Sequence, residues 1–234
     1  MIKLYRPNLS THALTVLTRR QRKVDSASDP QAEVKRTWST FGGKAREEVG
    51  RILRGMASGR ERCMYCEDSM GTDLDHFRPK STFPASAYEW DNLLLACSHC
   101  NSNLKRDEFP LLSDGTAGLI DPSKDDPLDH LRLSPYTGEY EPVGPKGEES
   151  RRVFGLNRQI CLTGRVDAWV GLELHFIQYR DYPSERIRIL GLISRDPFQG
   201  VRAQFERMNS SPNREMFISA GARSAVDRYP ELLR

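Results

Sequence analysis

The chain reads as an α+β protein that is mainly α, with helical regions at both ends and a small cysteine-rich unit between them. Apolar residues recur at helical spacing before residue 58 and after residue 150. Cys63, Cys66, Cys97 and Cys100 form two CxxC pairs inside a short stretch broken by Gly71, Pro79 and Pro84. The expected organisation is residues 1–58 as an N-terminal helical region, 59–112 as the stapled unit, 113–149 as a connector and 150–234 as a C-terminal helical region.

The elements follow in order. Residues 31–58 read as one helix, because Val49, Ile52, Leu53 and Met56 share a face and Glu47 and Arg51 pair on the other side. Trp38 and Phe41 are expected to pack where it begins. "TDLDHF" is a short strand candidate that Pro79 ends. "NLLLAC" is a second strand candidate, and "CNSNLKRDEF" can start a helix with Asn101 and Lys105 one turn apart. "SDGTAG", "DPSKDDP" and "PVGPKG" mark the connector as loop, with a small hairpin around "LRLSPYTGEYEPV". From about Ser150, Val153, Leu156, Ile160, Val166, Trp169 and Val170 predict a long helix ending at Tyr182-Pro183. Ser184 is the expected N-cap of "ERIRILGLISR". Asp196-Pro197 breaks the chain again before a face of Val201, Phe205 and Met208, and a last helix follows "NSSPN".

Composition narrows the function. No apolar run approaches the ~18 residues of a membrane span, and "MIKLYRPNLS" lacks the apolar segment of a secretion signal. The expectation is a cytoplasmic protein without a membrane partner. Net charge is only +3, weak support for nucleic-acid binding. The positive excess lies in residues 1–110, with 18 Lys and Arg against 14 Asp and Glu. Arg19, Arg20, Arg22 and Lys23 cluster there, as a solvated helix end or a phosphate-contacting arm.

In a reducing compartment, paired CxxC units point to metal rather than disulfides. Cys63, Cys66, Cys97 and Cys100 are the expected ligands of one structural Zn²⁺, which suits four thiolates and closes a unit too small to core itself. Cys161 reads as a small core residue, His99 as a solvated knuckle residue and His130 as structural.

Between the knuckles lie Asp75, His76 and Asn92, and Asn101 follows the fourth cysteine directly. With "CMYCE", "DLDHFRPKS" and "WDNLLLACSHCNSNLK", this order resembles the HNH endonuclease family over roughly residues 60–112. The resemblance implies a ββα-metal fold. It implies that His76 is the general base, that Asp75 and Asn101 bind a catalytic Mg²⁺ or Mn²⁺, and that Asn92 braces the loop between the strands. Asn101 stands where many members have His. Phosphodiester hydrolysis needs a neutral base near pH 7 and a hard cation on oxygen ligands, and these residue types supply both. Adjacent strand residues point to opposite faces, so Asp75 and His76 share a site only at a strand end or bulge. Arg78, Lys80 and Lys105 are the candidate phosphate contacts.

A broader pattern adds "LIDPSKDDPLDHLRL" and "VFGLNRQICLTGR" and resembles the PtuB nuclease subunits of Septu and retron-associated anti-phage defence systems. That resemblance implies docking onto a PtuA-like ABC-type ATPase. For the nuclease itself DNA is the favoured target, and the sequence leaves DNA versus RNA open. A stand-alone restriction-type HNH nuclease and a non-catalytic, zinc-stapled nucleic-acid-binding module remain the alternatives.

Overall fold

Ser10 starts the first helix: its hydroxyl accepts from the Ala13 amide at 3.2 Å, capping α1 (Thr11–Asp25). In the computed structural model, which describes residues 1–233, the chain is α+β and mainly helical. Arg234, the end of the expected C-terminal region, lies outside the described residues. Helix α1 buries Ala13, Leu17 and Val24, and its basic end is a helix end in structural terms. There the Arg20 guanidinium donates to the carbonyls of Thr37 and Thr40 at 2.6 and 3.0 Å, whereas Arg19, Arg22 and Lys23 face solvent.

The single helix expected over 31–58 is two. Asp29 caps α2 (Pro30–Ser39), and Pro30 occupies its first turn. The chain then turns through Phe41–Gly43, with Gly43 at φ +70°, where a side chain would be strained. Helix α3 (Gly43–Met56) follows and buries Ala45, Val49, Leu53 and Met56. Trp38 and Phe41 meet at this turn, directly before α3, with their rings 5.3 Å apart.

The central unit is a hairpin and a short helix. Strands β1 (Asp73–His76) and β2 (Leu93–Ala96) pair antiparallel, with Asp75 opposite Leu94 and His76 opposite Leu93. All of β2 is buried. The knuckle helix (His99–Lys105) has wide, π-type turns and stops at Arg106, which takes φ +48°. The expected second hairpin is present as β3 (Leu131–Leu133) and β4 (Tyr140–Pro142).

The long helix expected from about 150 is also two. Helix α4 (Gly144–Val153) ends in a turn in which Gly155 takes φ +54°, and α5 (Gln159–Asp181) begins after it. Ser184 does not cap the next helix. Pro183 opens a short 3₁₀ turn, and α6 (Arg186–Ile193) starts after Glu185 with no side-chain cap. Helices α7 (Gln199–Asn209) and α8 (Ala220–Arg228) complete the C-terminal half. They pack on α5, where Phe205 meets Trp169 and Phe176 with ring centroids 5.1 Å apart in both pairs. Buried residues from Met1 to Leu232 form one continuous apolar cluster through which the central hairpin runs. No described helix is long and apolar enough to cross a membrane.

Candidate active site and metal centre

Four thiols converge where the two knuckles meet. Cys63, Cys66, Cys97 and Cys100 are buried, and their sulfurs all lie within 4.8 Å of one another. The Cys66 and Cys97 sulfurs are 3.9 Å apart. A tetrahedral Zn²⁺ with bonds of ~2.3 Å sets its sulfurs ~3.8 Å apart, so the donor set and spacing fit zinc. The Cys100 amide donates to the Cys97 sulfur at 3.4 Å, and an Arg158 guanidinium nitrogen lies 3.9 Å from the Cys100 sulfur. Thiolates in this crowd need such donors. The Cys100 thiol beside it draws the Cys97 thiol down to about 7, while burial pushes Cys63 well up. Cys161 is buried as a core residue is, and its thiol also contacts Cys66.

The first knuckle carries a cost. Glu67, directly after Cys66, takes φ +60°, a conformation that suits glycine. Its buried carboxylate accepts from the Gly200 amide at 3.1 and 3.2 Å and pairs with the Met1 ammonium at 2.6 Å. The knuckle is thereby tied to α7.

Strand alternation divides the expected catalytic residues. Asp75 faces Tyr65 and the knuckle helix: Tyr65 donates to Oδ2 at 2.5 Å and Lys105 to Oδ1 at 3.2 Å. Lys105 also donates to the His76 carbonyl at 2.6 Å and has no solvent exposure. Burial raises the Asp75 pKa, with Lys105 opposing, and lowers that of Lys105, with Asp75 opposing. His76 turns to the other face, beneath α2. Its ring lies 4.2 Å from the Trp38 ring, and Nε2 sits 3.0 Å from the Ala87 carbonyl oxygen. A carbonyl only accepts, so Nε2 carries the proton and Nδ1 keeps the lone pair. Burial first, then the Lys80 charge, pushes the imidazole down to about 3.

Asn92 ties the ends of the loop between the strands. Its Oδ1 accepts from the Arg78 amide at 2.7 Å, and its Nδ2 donates to the carbonyls of Arg78 at 3.1 Å and Ser86 at 2.9 Å. Asn101 does not touch Asp75. Its Nδ2 donates to Asp73 at 3.1 Å, and Asp73 also accepts from Ser98 at 3.3 Å. Sequence reasoning missed Asp73. The signal was present, because "DLD" puts two carboxylates two residues apart on one strand face. Arg78 is exposed and Lys80 half-buried, whereas Lys105 is wholly taken up by Asp75 and the His76 carbonyl.

A hairpin carrying Asp-His, a loop-bracing Asn and a helix carrying Asn, closed by four cysteines, is the arrangement on which the comparisons bear. Residues 63–107 match the HNH endonuclease family. The chain is also similar to two curated proteins called Septu protein PtuB. One, from Bacillus mycoides (strain KBAB4), is 30% identical over 166 residues, covering 58% of this chain and 55% of that protein. The other, from Bacillus thuringiensis, is 28% identical over 102 residues, covering 42% of this chain and 37% of that protein. These matches cover about half or less of the length of either relative. No solved structure matches the chain significantly. The HNH match runs from the first cysteine through Asp107, so it contains the thiol cluster, β1, β2 and the knuckle helix.

Proposed function

We propose that the chain is a metal-dependent HNH endonuclease that hydrolyses phosphodiester bonds, most readily those of DNA. The observation that carries this is the position of His76 inside the matched segment, at the end of β1, with its Nε2–H fixed on the Ala87 carbonyl and the lone pair left on Nδ1. His76 takes a proton from the attacking water. Burial, and after it the Lys80 charge, holds its ring neutral; a bound phosphate diester offsets that charge and raises its basicity towards neutral pH. Asn92 keeps the 77–92 loop, and with it the Ala87 carbonyl, in register.

The oxygen donors on the other strand face suit a hard cation such as Mg²⁺ or Mn²⁺: Asp75 and Asn101, with Asp73 beside Asn101. Such a cation would supply charge neutralisation on the phosphate and leaving oxygen, and it could share a phosphate with His76 only at the end of β1, because Asp75 and His76 point to opposite faces of the strand. Asp75 shares its charge with Lys105, so a cation there competes with a buried ammonium. Arg78 and Lys80 contact phosphates in this reading. The four thiols hold a structural Zn²⁺ and suit a reducing compartment such as the cytoplasm. The similarity to proteins named for Septu supports a role as the nuclease of an anti-phage assembly, acting with a PtuA-like ABC-type ATPase.

Two observations favour a second reading, a zinc-stapled binding module without catalysis. Both Asp75 oxygens are already bonded, and His76 is only 4% exposed. Incubating the purified chain with supercoiled DNA and with RNA, in Mg²⁺, Mn²⁺ or EDTA, separates the two. The nuclease reading expects scission that EDTA stops. Binding without scission under every condition selects the module.

A further inference from the structure

Helix α3 carries Arg46, Gly50 and Arg54 four residues apart, on one stripe. This stripe, with Glu47 as the one carboxylate, lines a groove of about 360 Å³. The facing wall is the edge of the central hairpin, from Thr72, Leu74 and Leu95. Gly50 leaves the floor open, and the Arg54 guanidinium folds over it, 3.2 Å from where a Cβ would sit. Arg54 has one acidic neighbour, Glu61 at 3.9 Å, and both are about half exposed. Such a pair is weak and easily exchanged.

Arg46 differs from the other half-buried arginines. Arg6 ends on the carbonyls of Trp90 and Leu93, and Arg20 on those of Thr37 and Thr40. Among the described residues, Arg46 meets no hydrogen-bond acceptor and no carboxylate. Its guanidinium rests on aromatic faces instead, 5.6 Å from the Trp38 ring centroid and 5.5 Å from that of Phe41. A guanidinium held by stacking keeps its N–H edges free in a fixed plane, the geometry that takes a phosphate through two hydrogen bonds. The same Trp38 ring packs on His76. Arg46 and Arg54 lie ~12 Å apart along the helix at ~1.5 Å per residue. That spans about three or four nucleotides of one strand at ~3.4 Å each.

We propose that Arg46 and Arg54 hold the sugar–phosphate backbone of the nucleic-acid strand in this groove, Arg46 gripping the phosphate next to His76. The proposal rests on the nuclease reading and places the substrate's path on a helix outside the matched segment.

The test uses the full chain carrying His76→Ala, so that substrate stays intact, with a labelled DNA duplex and a labelled RNA strand as probes. Affinity is read across a salt titration for Arg46→Gln, Arg54→Gln and the pair, with zinc content and circular dichroism checked in each. The expected result is about a tenfold loss for the pair at low salt and a salt slope shallower by ~0.9 per arginine on duplex DNA or ~0.7 on a single strand. In the cleaving chain the same substitutions raise KM more than they lower kcat. Loss on one probe alone names the strand the groove takes. Unchanged affinity and slope in a folded double variant, with a wild type that still cuts, overturns the groove and leaves the nuclease standing. A wild type that neither binds nor cuts either probe overturns both.

Discussion

His76 is the residue on which the account turns, and its environment sets a pH signature. Its folded pKa lies below the ordinary value, at about 3. The unfolded chain therefore takes the proton first. The contribution to stability is full above ~6.5 and is lost as pH falls from there towards 3, at ~1.4 kcal/mol for each pH unit crossed. The urea midpoint of the wild type should fall more between pH 7 and 5 than that of His76→Gln; parallel curves would show that the ring is not buried as described. Lys105 gives a second prediction. Lys105→Met leaves Asp75 buried without its cation and should cost ~3–5 kcal/mol, read from denaturant unfolding. Adding Asp75→Leu should recover most of that loss, which a purely steric effect of Met would not allow. At this scale the sequence showed which residues matter better than what they touch. Cysteine spacing forces four sulfurs together, so the cluster was legible. The inward turn of Lys105 was not, because it depends on a buried Asp75 that Tyr65 also holds, with Tyr65 in turn stacked at 4.0 Å on Phe154 from a distant part of the chain.

Among elements, the strands and the second hairpin were readable from short apolar runs bounded by Pro and Gly. The helix breaks were not. A glycine inside an amphipathic pattern is compatible with a continuous helix, and only the φ values of Gly43 and Gly155 show that the chain turns there. Helix α1 was legible only as part of an N-terminal helical region and not in its bounds, because its buried positions, Ala13, Leu17 and Val24, are few and widely spaced. Gly138, in the turn between β3 and β4, has φ +71° and lies against the Leu162 carbonyl of α5, with no space for a Cβ. Gly138→Ala should destabilise the chain by more than ~1 kcal/mol and loosen that hairpin from α5, seen as faster amide exchange in 131–142. Exchange unchanged in a folded variant would mean that the hairpin is held elsewhere. The thiol cluster is the other joint between elements. Elemental analysis should find about one zinc per chain, and Cys97→Ser should lose it and become protease-sensitive in the central unit. A stable, zinc-free wild type would refute the metal centre.

At the scale of the whole molecule, the helices outside 63–107 build a core around the hairpin and supply Trp38, Arg46 and Arg158 to its two sites. They also leave Val170, Leu174, Tyr136 and Met216 exposed. The ATPase reading expects a complex that survives gel filtration after co-expression with the genomic neighbours; an isolated chain, fully active alone, would count against it. The central claim, that this hairpin cuts nucleic acid with His76 as base, is tested most directly by single-turnover cleavage. Wild type and His76→Ala are compared at equal zinc content and saturating Mg²⁺ or Mn²⁺. The account predicts a rate lower by ~10²–10⁴ in the variant, with binding of the probe retained. Equal rates in the two proteins would contradict it.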